Sequence, residues 1–385
     1  MGVKILSEKN VIDDGFLDLI GREFSTHEQG LAEWLKNSLD ATLRVGLTRG
    51  VQTIFLRFTD ATRQSPPIFE CIDFVGMTLE DLEGRFKPWG KLSRHSKRTG
   101  TYGGYGIGGK FYMRQMFDSS YLITYRQGVV NIFGFGPKHR YGYGQGYRNR
   151  PMDPREALRF ANIEPLAALA GVRTEVMKGK RGFSVVHGRG PKGIGKKVDV
   201  ERICLRLSGH PQAHRPLKVR RVCVIHNGAV AIERLNPRSI TKKSGFERPW
   251  VRKIPTILPQ TDKSMEGPIR LSPNSQSLGT LRLWVSNESL AKKGKMASLN
   301  RIDFVDRGGV MASYRIEELG ADVPYGESIF GECSFSELEY RHGPFARKTR
   351  DRLIESPETK ALLHWVSSQV IRFSQRISRQ VRKLD

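Results

Sequence analysis

The segment EWLKNSLDA places residues with catalytic potential one helical turn apart. Glu33 and Asn37 are separated by four residues, so a helix would present both on one face. A carboxylate held there can act as a general base on water. An asparagine carbonyl is a hard oxygen ligand of the kind that Mg²⁺ accepts. By themselves the two residues also fit an ordinary solvated helix face, so their chemistry depends on the motifs that follow. Asp40 is expected to cluster with them.

A helix is predicted to position these side chains. Ser25-Thr26-His27-Glu28 has the composition of a capping box. Apolar residues then recur at spacings of three and four, which predicts one buried face. These residues are Leu31, Trp34, Leu35, Leu39 and Leu43. A strand is expected next, over 51–59.

A second acid stands near the end of a predicted strand, in the segment IDFVGMT. The strand is expected over 69–74, which places Asp73 close to its carboxyl end. Gly76 would allow a close approach of the backbone, and Thr78 could begin a helix. Asp73 is therefore expected at a site bordered by main chain.

The segment from 87 to 109 contains seven glycines among basic and hydroxyl residues and ends in GYGIGGKF. As a P-loop it would have Phe111 where a serine or threonine should bind magnesium, and no apolar strand precedes it. As a dinucleotide fingerprint it lacks both the preceding strand and a suitably placed acid, because Asp118 is too close. Neither common glycine pattern applies.

Three motifs, EWLKNSLDA, IDFVGMT and GGYGIGGK, follow one another over less than eighty residues. Together and in this order they resemble the nucleotide-binding domain of gyrase, the large heat-shock chaperone, histidine kinases and MutL, known as the GHKL superfamily. The resemblance implies a Mg²⁺-dependent ATPase with ATP and Mg²⁺ as cofactors. It also implies that Glu33 is the general base and that Asn37 binds the metal, with Asp40 in the same cofactor site.

The resemblance assigns the remaining motifs to adenine and to the phosphates. Asp73 would accept a hydrogen bond from the adenine amino group, and Gly76 and Met77 would border the base. A later hydroxyl residue would assist there, either Ser184 in RGFSVV or Thr174 in GVRTEV. The phosphates would be wrapped by the backbone of the glycine loop, namely Gly103, Gly104, Tyr105, Gly106, Ile107, Gly108 and Gly109, with Lys110 beside them.

The second half of the chain is similar to the transducer domain of the Microrchidia branch and its bacterial relatives. The segments that carry this similarity are VCVIHNGAVAIE, VDRGGVMASYRIEELG, IFGECSFSELEY and ARKTRDRLIESPETKALLHWVSSQV. In that family a transducer cation reaches the γ-phosphate, so Lys348 is expected as a catalytic residue. Arg350 and Lys242 are the alternative positions.

The expected fold class is α+β. A GHKL (Bergerat) ATP-binding domain with an N-terminal strap and a lid is expected over 1–207. A smaller transducer-like α+β domain is expected over 208–357. A basic amphipathic helix should close the chain over 358–385, because apolar residues recur there at spacings of three and four.

The charge of the chain favours a polyanionic partner. Lysine and arginine total 64 against 39 acids, which gives a formal charge of +25. Two segments, 136–150 and 178–197, contain basic residues and no acid, and the first is expected to be exposed. Nucleic acid, DNA more than RNA, is therefore the expected partner.

Three functions remain open at this level. The first is an ATP-hydrolysing dimeric clamp on nucleic acid, in which residues 1–22 reach the partner subunit. The second is a chaperone-like ATPase that acts on protein partners, and the third is an ATP sensor without hydrolysis. The chain has no apolar run long enough to span a bilayer and no apolar signal core. An intracellular protein is expected, cytoplasmic or, in a eukaryote, nuclear, with no membrane partner.

Overall fold

A computed structural model shows two compact units, Met1–Pro237 and Arg238–Asp385. The structure describes residues 3–6, 26–44, 52–89, 108–179, 181–258, 268–271, 278–291, 298–306, 309–336, 338, 345 and 352–382. The predicted α+β class is confirmed. The predicted boundary at residue 207 lies thirty residues too early, because the strands after it extend the first sheet.

The first unit contains six α-helices of at least six residues in its described part: α1 (His27–Arg44), α2 (Gly108–Gln115), α3 (Pro154–Phe160), α4 (Glu164–Leu169), α5 (Val200–Ser208) and α6 (Pro211–Val219). A short helix, Leu79–Asp81, continues as a π-helix, Leu82–Phe86. Its strands are β1 (Thr53–Thr59), β2 (Ile68–Asp73), β3 (Phe117–Arg126), β4 (Val129–Phe135), β5 (Tyr141–Tyr143), β6 (Arg150–Pro151), β7 (Gly182–Pro191), β8 (Arg221–His226) and β9 (Ala229–Ile232).

These nine described strands form one mixed sheet in the order β5-β4-β3-β7-β2-β1-β8-β9, with β6 paired to β4. Strand β7 lies between β3 and β2 and pairs antiparallel with both. Strand β8 runs parallel to β1, with Thr53 opposite Arg221. This pairing places β8 and β9 in the first unit.

Helices cover both faces of this sheet. One core combines α1, α2, α5 and α6 with one face, and in α1 the side chains of Leu31, Trp34, Leu35 and Leu39 are buried as predicted. A second core combines α3 and α4 with the opposite face. Helix α1 thus packs against β2, the strand that carries Asp73.

The second unit is built around a five-stranded sheet in its described part. Its strands are β10 (Trp250–Ile254), β11 (Ile257–Leu258), β12 (Ile269–Arg270), β13 (Gly279–Val285), β14 (Arg301–Asp306), β15 (Gly309–Arg315) and β16 (Ile329–Phe335). The sheet order is β10-β13-β16-β14-β15, and β11 pairs separately with β12. The predicted terminal helix is present as α7 (Pro357–Val381), whose apolar face packs into the core of this unit.

The two basic segments are less exposed than their composition suggests. Tyr141 and Tyr143 are each 3% exposed because they form β5, so the prediction of an exposed loop over 136–150 is wrong for them. The segment 178–197 supplies the central strand β7. Among its side chains whose burial is described, the exposed cations are Lys192, Lys196 and Lys197.

Within the described ranges, no helix is both long and apolar enough to cross a membrane. The four cysteines are free and buried, as their wide spacing predicts.

Candidate active site

Glu33 lies on α1 at the point where the N-terminus of α2 meets that helix. Its side chain is buried, and its Oε1 accepts a hydrogen bond from Lys36 Nζ at 2.5 Å. Its Oε2 faces Gly108, the first residue of α2, where an added Cβ would approach it to 2.7 Å. One carboxylate oxygen is thus held by a lysine, and the other points to the start of a helix.

Asn37 occupies the next turn of α1 and faces the same helix end. A Cβ added to Gly109 would lie 2.8 Å from Asn37 Nδ2, so the Asn37 amide lies close against the first turn of α2. Trp34 fixes the crossing of the two helices, because its indole N–H donates to the Gly109 carbonyl at 3.4 Å. Asn37 itself is exposed. The structure therefore brings Glu33, Asn37, Gly108 and Gly109 together.

The N-terminus of α2 is suited to an anion. The first backbone N–H groups of a helix have no partner within the helix, and the aligned peptide dipoles favour negative charge there. No acidic residue lies in the first turn of α2. Such an end can bind phosphate oxygens through main-chain N–H groups.

Asp73 is buried at the end of β2 beneath α1. Ser38 Oγ donates to its Oδ2 at 3.0 Å, and the Val75 amide donates to its Oδ1 at 3.1 Å. Burial raises the pKa of Asp73 to about 6, although hydrogen bonds from Ser38, Val75 and Gly76 act in the opposite direction. Because Ser38 is adjacent to Asn37, α1 contacts both the Asp73 region and the helix end described above.

Hydroxyl groups lie beside Asp73 across the sheet. Ser184 of β7 is directly opposite Asp73, and Thr124 of β3 is directly opposite Ser184. Directly opposed residues share one face of a sheet. Ser184 thus lies beside Asp73, whereas the alternative, Thr174, lies in a 3₁₀-helix and donates to Glu175.

Thr124 is a residue of this region that sequence reasoning missed. It is fully buried, and its Oγ1 accepts from the Met77 amide at 2.6 Å and donates to the Phe183 carbonyl at 3.2 Å. It therefore ties the turn after Asp73 to the central strands. Only the strand register brings it to Asp73, so no spacing in the sequence marks it.

Gly76 is needed for this turn. Its φ is +77°, and an added Cβ would lie 2.2 Å from the Tyr125 carbonyl oxygen. The main chain therefore approaches β3 too closely for a side chain, as the glycine in IDFVGMT suggests. Met77 follows it, half-buried against the first core.

Lys110 lies in a different environment from the predicted one beside phosphates. Its side chain is 1% exposed, and its Nζ donates to the carbonyl oxygens of Phe86 at 2.8 Å and Pro88 at 2.5 Å. The ammonium also lies 4.6 Å from the ring centre of Trp89. Burial lowers the pKa of Lys110 to about 7. In this structure the lysine anchors the segment after the π-helix to α2.

Two further candidates have partners of their own. Asp40 is buried and interacts electrostatically with Arg215 of α6. Burial lowers the pKa of the Arg215 guanidinium, and the negative charge of Asp40 partly offsets that effect. Lys242 is exposed in the second unit, with its Nζ 5.5 Å from the ring centre of Trp284. Residues 103–107, Lys348 and Arg350 lie outside the described residues, so their predicted roles stay predictions.

No family model matches the chain, and no curated protein matches it. Solved structures do match, among them the ATPase region of topoisomerase II from Saccharomyces cerevisiae. That match covers 98% of this chain and 92% of the other chain, at 13% identity and a TM-score of 0.39. At this identity and score, the similarity assigns neither a family nor an activity.

Proposed function

We propose that this chain is a GHKL-type ATPase that binds Mg-ATP between α1, the N-terminus of α2 and the end of β2. The observation that carries the proposal is the meeting of Glu33 and Asn37 with Gly108 and Gly109. A carboxylate, an amide and two glycines at a helix N-terminus provide what phosphate hydrolysis requires: a base, a metal ligand and phosphate-binding N–H groups.

Adenine would bind at Asp73. The carboxylate lies at the end of a central strand with Ser184 beside it, and it can accept a hydrogen bond from the exocyclic amino group. Thr124 and Gly76 set the turn that borders the base. Ser38 orients the carboxylate from above, so α1 supports both the base and the phosphate regions.

Asn37 would hold Mg²⁺ through its side-chain carbonyl. Among the described residues, no cluster of three His, Cys, Asp or Glu side chains could form a complete metal cage. A magnesium ion that arrives with a nucleotide needs only one or two protein oxygens, because phosphates and water complete its shell. The single exposed amide fits that requirement.

Glu33 would use its Oε2, which faces Gly108, to orient the attacking water and to accept a proton from that water. Replacing Glu33 by glutamine should therefore lower ATP turnover by roughly 10²-fold or more and leave ATP binding nearly intact. Turnover is measured by phosphate release, and binding by titration with labelled ATP. The matched control is Glu28→Gln, because Glu28 is also buried on α1 and ion-paired, with Arg206 at 3.4 Å.

The outcomes separate hydrolysis from sensing. A parental turnover in Glu33→Gln would exclude Glu33 as the base. Equal losses in binding and turnover would assign it a structural role. A parent that binds ATP and releases no phosphate would be the ATP sensor instead of the ATPase.

We further propose that ATP closes two copies of the chain into a clamp. Residues 1–22 are expected to reach the partner subunit, whereas residues 3–6 pair with their own chain at the β5 edge in this structure, where Ile5 bridges Gly144. The clamp would require these residues to leave that edge. A non-hydrolysable analogue should double the mass in light scattering. A monomer at saturating analogue and at every protein concentration would exclude the clamp.

Nucleic acid is the proposed substrate of the clamp, because a charge of +25 creates a field that attracts a polyanion. In the basic segment 136–150, Arg148 pairs with Glu83 at 2.9 Å, so this cation is less available to a phosphate. Lys192, Lys196 and Lys197 are exposed on the first unit and remain proposed contacts. Charge reversal of these three lysines should weaken binding at low salt.

A further inference from the structure

The outer face of the terminal helix α7 is strongly and one-sidedly basic. From residue 359 to residue 384 the sequence contains six lysines and arginines and no acid. Five of these cations, Lys360, Arg372, Arg376, Arg379 and Arg382, lie within the described part and are exposed. A solvated helix normally mixes charges of both signs, so this composition needs an explanation other than solubility.

The arginines form a continuous stripe. At 100° per residue, Arg372, Arg376 and Arg379 fall within an arc of about 60° and extend over roughly 10 Å of helix axis. None of the three side chains makes a hydrogen bond or an ion pair within the described residues. Other arginines of this unit are paired, such as Arg352 with Glu318 at 2.5 Å. The stripe is therefore free to bind an external anion.

The opposite face of α7 makes this stripe rigid. Leu362, Val366, Val370, Phe373 and Ile377 are buried in the core of the second unit. The helix begins at a capping box formed by Ser356 and Thr359. Each arginine is thus presented from a fixed backbone, so only side-chain freedom is lost on binding.

We propose that the stripe of Arg372, Arg376 and Arg379 binds the phosphate backbone of nucleic acid. One strand of duplex DNA carries one phosphate per 3.4 Å of axis, so about 10 Å of helix faces roughly three phosphates. Guanidinium groups bind phosphate oxygens through paired N–H donors. Contacts of this type set position and affinity but carry no base sequence information. The inference rests on the nucleic-acid part of the proposed function and is independent of ATP hydrolysis.

The test is a salt series with the full-length chain and a fluorescent duplex without ATP. The triple variant Arg372→Gln, Arg376→Gln, Arg379→Gln removes three charges and keeps good helix formers. Loss of three phosphate contacts should flatten the slope of log K against log salt by about 2.7, since each contact contributes about 0.9. On single strands the expected change is about 2.1. Circular dichroism verifies that α7 is retained.

The matched control removes three positive charges elsewhere and leaves the stripe intact. Arg63, Arg155 and Arg173 are exposed on separate elements of the first unit, and their triple glutamine variant should change the slope by well under one unit. Equal changes in both variants would overturn the inference in favour of a diffuse charge effect. An unchanged slope in the α7 variant would also overturn it.

Two further measurements separate the inference from its alternatives. Vesicles with anionic lipid test a membrane surface, and binding of the parent to vesicles but not to nucleic acid would overturn the proposal. ATP turnover of the α7 variant should equal that of the parent, because α7 carries no proposed site residue. If the parent does not hydrolyse ATP but the α7 variant still has a flatter salt slope, the ATPase proposal is disproved and this inference is retained.

Discussion

Asparagine in place of Asp73 should stabilise the fold and weaken ATP binding at the same time. Burial raises the pKa of this carboxyl from its ordinary value of 3.8 to about 6. The folded chain therefore binds more protons than the unfolded chain between these values. The stability that the protonated form provides is complete below pH 3.8 and is lost as the pH rises through 6.

The size of both effects follows from the structure. A shift of about 2 pKa units corresponds to roughly 3 kcal/mol of lost stability above pH 6. Asparagine avoids that loss but disturbs one of the bonds from Ser38 and Val75, at a cost of about 1 kcal/mol. The variant should thus be more stable by about 2 kcal/mol at pH 8 and show no gain near pH 4. For ATP, loss of the charge removes about 1.5–3 kcal/mol, which is roughly 10-fold to 150-fold in Kd.

Urea unfolding at pH 4 and pH 8 measures the first effect, and titration with labelled ATP at pH 8 measures the second. Asp60→Asn is the matched control, because hydrogen bonds led by the Val198 amide lower the pKa of Asp60 to about 2. Its loss should remove stability above pH 4 and leave ATP affinity unchanged. Parental ATP affinity in Asp73→Asn would remove Asp73 from the base site. A stability difference that does not vary with pH would refute the assigned titration.

Three more changes probe the neighbouring contacts. Lys36→Met should lower kcat by about tenfold or more with KM unchanged, because Glu33 loses the contact that fixes its carboxylate. Lys36→Arg should keep that contact and the parental kcat. Steady-state kinetics of both variants test this. Gly76→Ala should destabilise the fold by at least about 1–3 kcal/mol, since the new Cβ would meet the Tyr125 carbonyl, and an unchanged Tm would contradict that crowding. The pKa of Lys110 is lowered to about 7, so parental stability should rise with pH between about 7 and 10.5; urea titrations of Lys110→Met should lack this rise, and an identical pH trend in both proteins would disprove it.

Local patterns predicted the parts of the site that lie on single elements. The three-and-four spacing of apolar residues placed Glu33 and Asn37 on one helix, and the turn glycine beside Asp73 was evident from IDFVGMT. These features depend on contacts within a few residues. Their physical cause is therefore visible in the sequence itself.

Features that depend on distant pairing could not be predicted in this way. Strand β8 joins the first sheet by pairing with β1. The first unit therefore ends at residue 237 and not at the predicted residue 207. Thr124 lies on the same face of the sheet as Asp73, two strands away, and only the register of β2, β7 and β3 places it there. The tyrosines of β5 looked like loop residues because glycine and arginine surround them, yet they complete the sheet and the core.

The position of β7 has a consequence for how the chain folds. Strands β1 and β2 form one antiparallel pair, and β3 and β4 form another. Each pair joins segments that are close in sequence. Strand β7 comes later in the chain and must insert between the two pairs. Its pairing of Arg189 with Ile68 spans more than a hundred residues, and such nonlocal contacts slow folding. Until β7 arrives, β2 and β3 are open edges that can pair with other chains. A chain truncated before Gly182 should consequently aggregate, and folding of the first unit should be limited by this late insertion.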